Sequence, residues 1–242
     1  MKHLISLIDG TWISPNRIGA GETHSNIYKI NLLLADDFAS DRKQQIVFYS
    51  RGLGAVSGVR RYTSGGFAYG IKEEIEDVYI NIASNYVRGE TNDSSDKIYL
   101  YGFSRGAVIA RVVAALISNI GLLYPWEIDA FPKIWRLYRE KQVFLDYHRP
   151  PECHERADIE FLGVFDTVYG GNDDDASAER RLQFAGRVLS RNVKNALHIL
   201  AIDEQRPFFR PLLWEESEDT NAVAHKGMRQ IWMPGVHADI GG

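Results

Sequence analysis

Cysteine is nearly absent. Cys153 is the sole thiol among 242 residues, so no intrachain disulfide can form, and neither a paired-thiolate metal site nor an extracellular disulfide scaffold can be built. Synthesis in a reducing compartment is expected. Long apolar runs are missing too: the longest, residues 107–124, is broken by Arg111, Ser118 and Asn119, whereas a membrane span wants about 20 residues with few or no charges. It reads as a buried helix. Met1-Lys2-His3 leads straight into Leu4-Ile5-Ser6-Leu7-Ile8, too short for a signal-peptide core and without a small-residue cleavage site. The start reads as a strand, and the protein as one synthesised in the cytoplasm without a signal peptide. Nor is there an excess of positive charge. The 28 Lys and Arg against 32 Asp and Glu leave a formal net charge of -4, which creates no broad positive field and argues against nucleic acid as a partner.

What is present is enough to bury one full core. Hydrophobic residues make up 45% and charged residues 25%, the balance of an ordinary soluble domain, and the length suits one domain. Five short β-rich runs, at 3–8, 45–50, 97–102, 159–165 and 229–233, are spaced with helical patterns between them. That alternation predicts an α/β fold with a mostly parallel sheet flanked by helices. Between the second and third runs, Ile71, Ile75, Val78, Tyr79, Ile82 and Tyr86 recur at steps of three and four, while Lys72, Glu73, Glu74, Glu76 and Asp77 fill the other face. That segment reads as an amphipathic helix. The polar stretch 89–96 closes it.

Two longer regions interrupt the alternation. Residues 122–150 are dense in aromatics, among them Tyr124, Trp126, Phe131, Trp135 and Tyr138; such a segment can form a lid or acyl pocket, or pack two helices onto the sheet. Residues 170–221 open with Asn172-Asp173-Asp174-Asp175, which lacks the glycine and distal glutamate of a calcium loop, and no metal is assigned to it. Within the second region, residues 193–200 carry a helical pattern. The cluster Arg180, Arg181, Arg187, Arg191 and Lys194 reads as a solvated helix face, with anionic lipid headgroups as the alternative.

The chemistry-bearing motif is Gly102-Phe103-Ser104-Arg105-Gly106. It directly follows the β-pattern Lys97-Ile98-Tyr99-Leu100-Tyr101 and precedes the apolar helix candidate that begins at Ala107. Strand, sharp turn and helix are what a nucleophile elbow requires, here after the third strand in sequence, and Ser104 is the expected nucleophile. A serine hydroxyl is a weak nucleophile near neutral pH, so it needs a neutral imidazole as base and a carboxylate to orient that imidazole. The fourth β-run ends at Asp166, which puts a carboxylate at the same sheet edge. His198, His225 and His237 follow that acid in the chain order Ser, acid, His. His198 falls in a helical pattern and His225 in a polar stretch, whereas His237 follows the fifth strand and a Pro234-Gly235 turn that carries it to the same edge. Asp239 is the nearest competitor to Asp166, but local hydrogen bonds within the turn are its expected role.

The oxyanion hole of such a site takes one backbone N–H from the residue after the nucleophile, Arg105, and one from the loop after the first strand, where Gly10 or Thr11 is expected. No cofactor or metal is called for. A rival motif, Gly52-Leu53-Gly54-Ala55-Val56-Ser57, matches a dinucleotide fingerprint only weakly, because Ser57 stands where the third glycine belongs and a helix follows instead of an acid-ending strand.

Several segments taken together resemble the α/β-hydrolase family that forms the catalytic part of certain type VI secretion phospholipase effectors. They are Asp9-Gly10-Thr11-Trp12, Gly65-Gly66-Phe67-Ala68-Tyr69-Gly70, Gly102-Phe103-Ser104-Arg105-Gly106-Ala107, Phe165-Asp166-Thr167-Val168, Ala201-Ile202-Asp203-Glu204-Gln205-Arg206 and the run from Trp232 to Gly242. The resemblance implies hydrolysis of glycerophospholipid esters and a triad of Ser104, Asp166 and His237. It also implies a phospholipid or other ester substrate, peripheral membrane contact, an immunity or delivery protein, and export by a contact-dependent secretion system. Residues 1–242 are read as a single catalytic domain, cut from a longer protein just after the catalytic histidine. A soluble carboxylesterase, an intracellular enzyme acting on the cell's own membrane, and a binding module that keeps the fold without turnover are the alternatives.

Overall fold

The computed structural model describes residues 1–10, 24–34, 44–52, 64–139, 152–155, 157–168, 188–215 and 227–242, with the side chains of 64–69, 137 and 139 excepted. Six strands form one parallel sheet: β1 (His3–Ile8), β2 (Gln45–Ser50), β3 (Lys97–Phe103), β6 (Ile159–Phe165), β7 (Ala196–Ala201) and β8 (Met228–Met233), in the order β2-β1-β3-β6-β7-β8. Two short strands, β4 (Leu122–Leu123) and β5 (Cys153–His154), pair antiparallel beside it. Leu4, Ile5, Leu7 and Ile8 of β1 are all buried, as befits a strand covered on both faces in a parallel sheet.

Helices α2 (Ser64–Asn85) and α3 (Arg105–Ile120) cover one face and α1 (Asn26–Leu33) the other. Helix α3 is buried almost all round, from Gly106 to Ile117, which explains why its sequence shows little polar face. Helix α2 follows the expected stripe, with Ile71, Ile75, Val78, Tyr79, Ile82 and Tyr86 buried. Glu74 departs from its expected place on the polar face: it is buried, and accepts a hydrogen bond from Ser50 Oγ at the end of β2.

Two expectations from the sequence need correction. The 193–200 segment is not helical; Ala196–Ala201 is β7, paired in parallel with both β6 and β8. Its apolar run is shorter than the ten or so residues that let periodicity separate a helix from a buried strand, and the two neighbouring strands decide the outcome. Lys194 accordingly lies in the turn before β7 and pairs with Glu160 at 3.0 Å and Asp158 at 3.9 Å, not on a helix face. Arg180, Arg181 and Arg187 lie outside the described residues, as do Asn172-Asp173-Asp174-Asp175 and residues 53–57 of the glycine-rich rival motif.

In the described part of the aromatic region, three rings pack onto helices. After β4 comes a 3-10 turn (Pro125–Ala130), then α4 (Phe131–Arg139). Phe131, Trp135 and Tyr138 are buried with α2 and α3, and the Phe131 ring meets the Tyr79 ring at 5.2 Å. Tyr79 Oη donates to the Gly121 carbonyl just past the last residue of α3, so the Phe131 contact lies by the C-terminal end of that 16-residue helix. Trp126 is exposed there, its indole N–H bonded to Glu152.

Candidate active site

The sheet order sets the site before any side chain is considered. Strand β3 lies next to β6, so Ser104 and Asp166, each one residue past its strand, emerge side by side at the C-terminal edge. Backbone contacts lock this pair, because Ser104 N–H donates to the Phe165 carbonyl at 3.0 Å. Ser104 has φ 56 and ψ -121, a conformation that L-residues avoid, and the turn exists only because its flanks are bare. A Cβ on Gly102 would stand 2.4 Å from the Gly106 carbonyl oxygen, and one on Gly106 would stand 2.3 Å from the Ile8 carbonyl oxygen. The first turn of α3 is thus pressed directly against the end of β1.

His237 comes from the far side. Strand β8 ends at Met233, and the Pro234-Gly235 turn, with Gly235 at φ 114, swings the chain into α5 (His237–Gly241). Four acceptors fasten that loop. Asp203 Oδ2 accepts the Gly235 N–H at 2.7 Å, the Gly235 carbonyl accepts the Asp203 N–H at 3.1 Å, Asp239 Oδ2 accepts the Val236 N–H at 2.8 Å, and Glu204 Oε2 accepts the His237 N–H at 3.2 Å. Hydrogen bonds from Arg206 hold the Glu204 carboxyl down at about 2, so it stays ionised at the N-terminus of α5. The imidazole lies between Phe103 and Phe209, each ring centre 4.7 Å away.

These pieces bring Ser104, His237 and Asp166 together, all three buried. His237 Nδ1 stands 2.6 Å from Asp166 Oδ2 and Nε2 stands 3.0 Å from Ser104 Oγ. An ionised carboxylate can only accept, so Nδ1 carries the proton and the Nε2 lone pair faces the hydroxyl. Asp166 is itself held in a positive-φ turn, φ 38, with its N–H on the Ile199 carbonyl at 2.7 Å and its Oδ1 on the Ala201 N–H at 3.2 Å. The arrangement can remove a proton from Ser104 as Oγ attacks an electrophile, and hand it on to a leaving group.

Asp239 serves the turn and not the imidazole. His198 lies on β7, behind Asp166, with its ring nitrogens facing Thr167 and Gln230. His225 and Thr11 fall outside the described residues. Arg105 is the first residue of α3, where amides carry the positive end of the helix dipole. Gly10 donates its N–H to Asp9 Oδ1 at 2.9 Å. Asp9 is buried at the end of β1, receives Ser25 Oγ at 2.5 Å and Tyr49 Oη at 2.6 Å, and burial raises its pKa. The roles of Asp203, Glu204 and Phe209 were not legible from composition or period, although Asp203 and Glu204 lie in the segment 201–206 that carries part of the family resemblance. Among the described residues no cluster of His, Cys, Asp and Glu is arranged to hold a metal ion, and no helix is long and apolar enough to cross a membrane.

The family model "T6SS, Phospholipase effector Tle1-like, catalytic domain" matches residues 2–242. The uncharacterized protein YEL023C of Saccharomyces cerevisiae is 26% identical over 239 residues, covering 87% of this chain and 32% of the yeast protein. Among solved structures, the Tle1 effector bound to the VgrG spike of the type 6 secretion system superposes with a TM-score of 0.54 at 22% identity, over 100% of this chain and 51% of that one. An uncharacterized protein from Pseudomonas aeruginosa superposes with a TM-score of 0.50 at 18% identity, over 100% and 41% respectively. At those identities the two structures establish the shared fold. The chain spans about a third of the yeast relative and about half of the Tle1 chain. With the match running from the second residue to the last, the chain belongs to the family of Tle1-like phospholipase effector catalytic domains of type VI secretion.

Proposed function

We propose that residues 1–242 act as a single catalytic unit, a cofactor-independent serine hydrolase that cleaves carboxylic esters of glycerophospholipids through an acyl-Ser104 intermediate. The observation that carries the reading is the continuous line from Ser104 Oγ to His237 Nε2 at 3.0 Å and from His237 Nδ1 to Asp166 Oδ2 at 2.6 Å. Ser104 Oγ attacks the ester carbonyl carbon while its proton passes to His237 Nε2, and Asp166 stabilises the imidazolium. The carbonyl oxygen becomes an oxyanion, received by the Arg105 N–H and by an amide of the loop after β1, Gly10 or Thr11; Gly10 would exchange its Asp9 partner to do so. Collapse of the tetrahedral adduct breaks the ester C–O bond, and the departing alkoxide takes the proton back from His237. Water repeats the sequence to release the fatty acid and regenerate Ser104.

Family membership supports a lipid as the substrate class. The Tle1 neighbour's complex with the VgrG spike supports a delivery protein as partner and a contact-dependent secretion system as the route out of the cell. The test is fatty-acid release from vesicles of phosphatidylethanolamine and phosphatidylglycerol. Wild type releases fatty acid and Ser104→Ala lowers turnover by roughly 10⁴ to 10⁶-fold. Cleavage of short p-nitrophenyl esters without any phospholipid cleavage replaces the lipid by a soluble ester, and no cleavage of either leaves a binding module.

A further inference from the structure

Behind Asp166 lies a group of buried polar side chains that acyl transfer does not use. His198 of β7 is fully buried. Its Nε2 accepts the Thr167 N–H at 3.2 Å, and its Nδ1 faces Gln230 Oε1 at 3.3 Å. Backbone groups fix the sense of both bonds. Gln230 Oε1 accepts the Trp214 N–H at 2.9 Å while Gln230 Nε2 donates to the Trp214 carbonyl at 3.0 Å, so the atom that Gln230 turns to His198 is an acceptor. His198 must therefore carry its proton on Nδ1 and keep the Nε2 lone pair for the Thr167 amide. Burial and the nearby Arg111 charge hold the pKa of this imidazole at about 3. A second ring proton, which would point at the Thr167 N–H, is thereby kept off.

Thr167 directly follows Asp166, whose positive φ is unfavourable for a side chain with a Cβ. Both backbone groups of Thr167 are tied, the N–H to His198 and the carbonyl to the Leu212 N–H at 2.8 Å. The line Gln230, His198, Thr167 crosses β8, β7 and the end of β6, and β8 runs on into the loop that bears His237. We propose that His198, its tautomer set by Gln230, is a positioning residue that holds the Asp166-Thr167 turn so that Asp166 Oδ2 meets His237 Nδ1. The proposal rests on reading Asp166 as the acid of the reaction, and His198 acts only through it.

The test measures kcat and KM with p-nitrophenyl butyrate for the wild type, His198→Leu, His198→Gln, Asp166→Asn and the double variant His198→Leu/Asp166→Asn. Glutamine offers an amide oxygen where Nε2 stands and can accept the Thr167 N–H; leucine cannot. His198→Leu should lower kcat about 100-fold with KM within about twofold, and His198→Gln should stay within about fivefold of wild type. In the Asp166→Asn background the leucine substitution should cost less than about threefold, because no carboxylate is left to aim. Equal losses for glutamine and leucine, or the full loss persisting beside Asp166→Asn, would overturn the proposal. Should the leucine variant fail to fold, Gln230→Met, which frees the His198 tautomer, carries the test: about a tenfold fall in kcat at constant KM supports it, and wild-type kcat overturns it. Wild-type kcat in Asp166→Asn strikes a different target, the acid assignment itself.

Discussion

Ser104 and His237 meet across 3.0 Å, but the two sides of that contact are held by different forces. On the Ser104 side the constraint is contact between backbones: β3, the start of α3 and the end of β1 approach so closely that neither Gly102 nor Gly106 has room for a Cβ. On the Asp166 and His237 side the holding is by hydrogen bonds, backbone ones from Asp166 to Ile199 and from Asp203 to Gly235 together with side-chain ones through Asp203, Glu204, Asp239, His198 and Gln230. Hard repulsion cannot be relaxed by a small shift, whereas a hydrogen bond lost from a loop can be replaced by water. The Ser104 side should therefore fail all at once, and the His237 side by degrees.

The largest effect is expected at Gly106→Ala. Its new methyl would stand 2.3 Å from the Ile8 carbonyl oxygen and 2.7 Å from that of Asp9, both backbone atoms of a central strand and its exit, so urea denaturation should show a loss of about 3 kcal/mol or more. A midpoint equal to wild type would mean that the elbow yields, and the contrast between the two sides would fall.

Next comes the loop that carries His237. Removing the acceptor of the His237 N–H with Glu204→Ala, or that of the Val236 N–H with Asp239→Ala, should lower kcat roughly 10 to 100-fold while the chain stays folded. Unchanged kcat in both variants would show that Gly235 and the flanking rings alone set the imidazole.

The two sides also differ in how stability follows pH. Glu74 packs against the end of β2 on the Ser104 side, and burial raises its carboxyl from 4.5 to about 7, against the opposing hydrogen bond from Ser50 and the Arg105 charge. Between those values the folded chain keeps a proton that the unfolded chain has released, so stability falls as pH rises through that window. Glu74→Gln should remove this slope, up to about 3 kcal/mol above pH 7. His198 has the opposite sign. Below its ordinary 6.5 the unfolded chain takes up a proton that the folded chain refuses down to about 3, so stability falls as pH falls, and His198→Gln should flatten the acid limb by about 2 kcal/mol at pH 5. Urea midpoints between pH 4 and 8 measure both; slopes unaffected by either substitution would contradict the burial of these groups.

The same division explains what the sequence could disclose. The elbow is local, with strand, Gly-x-Ser-x-Gly and helix contiguous in the chain, so Ser104 and its setting are readable from about 25 residues of pattern. Asp166 and His237 were reached by chain order and by the sheet edge at which their strands end. What held them was hidden, because it depends on strand neighbours far apart in sequence. Residues 193–200 carry apolar positions compatible with a helix, and only pairing with β6 and β8 makes them a strand. Once that strand exists, His198 turns from a packed helical residue into an acceptor for the amide beside Asp166. The aromatic region 122–150 left a pocket and helix packing both open, because composition does not say what its rings face; among the described residues Phe131, Trp135 and Tyr138 pack with α2 and α3.

The account stands or falls on Ser104 being the atom that becomes acylated. Peptide mapping by mass spectrometry after treatment with a fluorophosphonate measures this most directly. The account predicts a single adduct on the peptide containing Ser104, absent from Ser104→Ala and formed at least about 10³-fold more slowly in His237→Ala; an adduct on another residue, or undiminished labelling of Ser104→Ala, would contradict it.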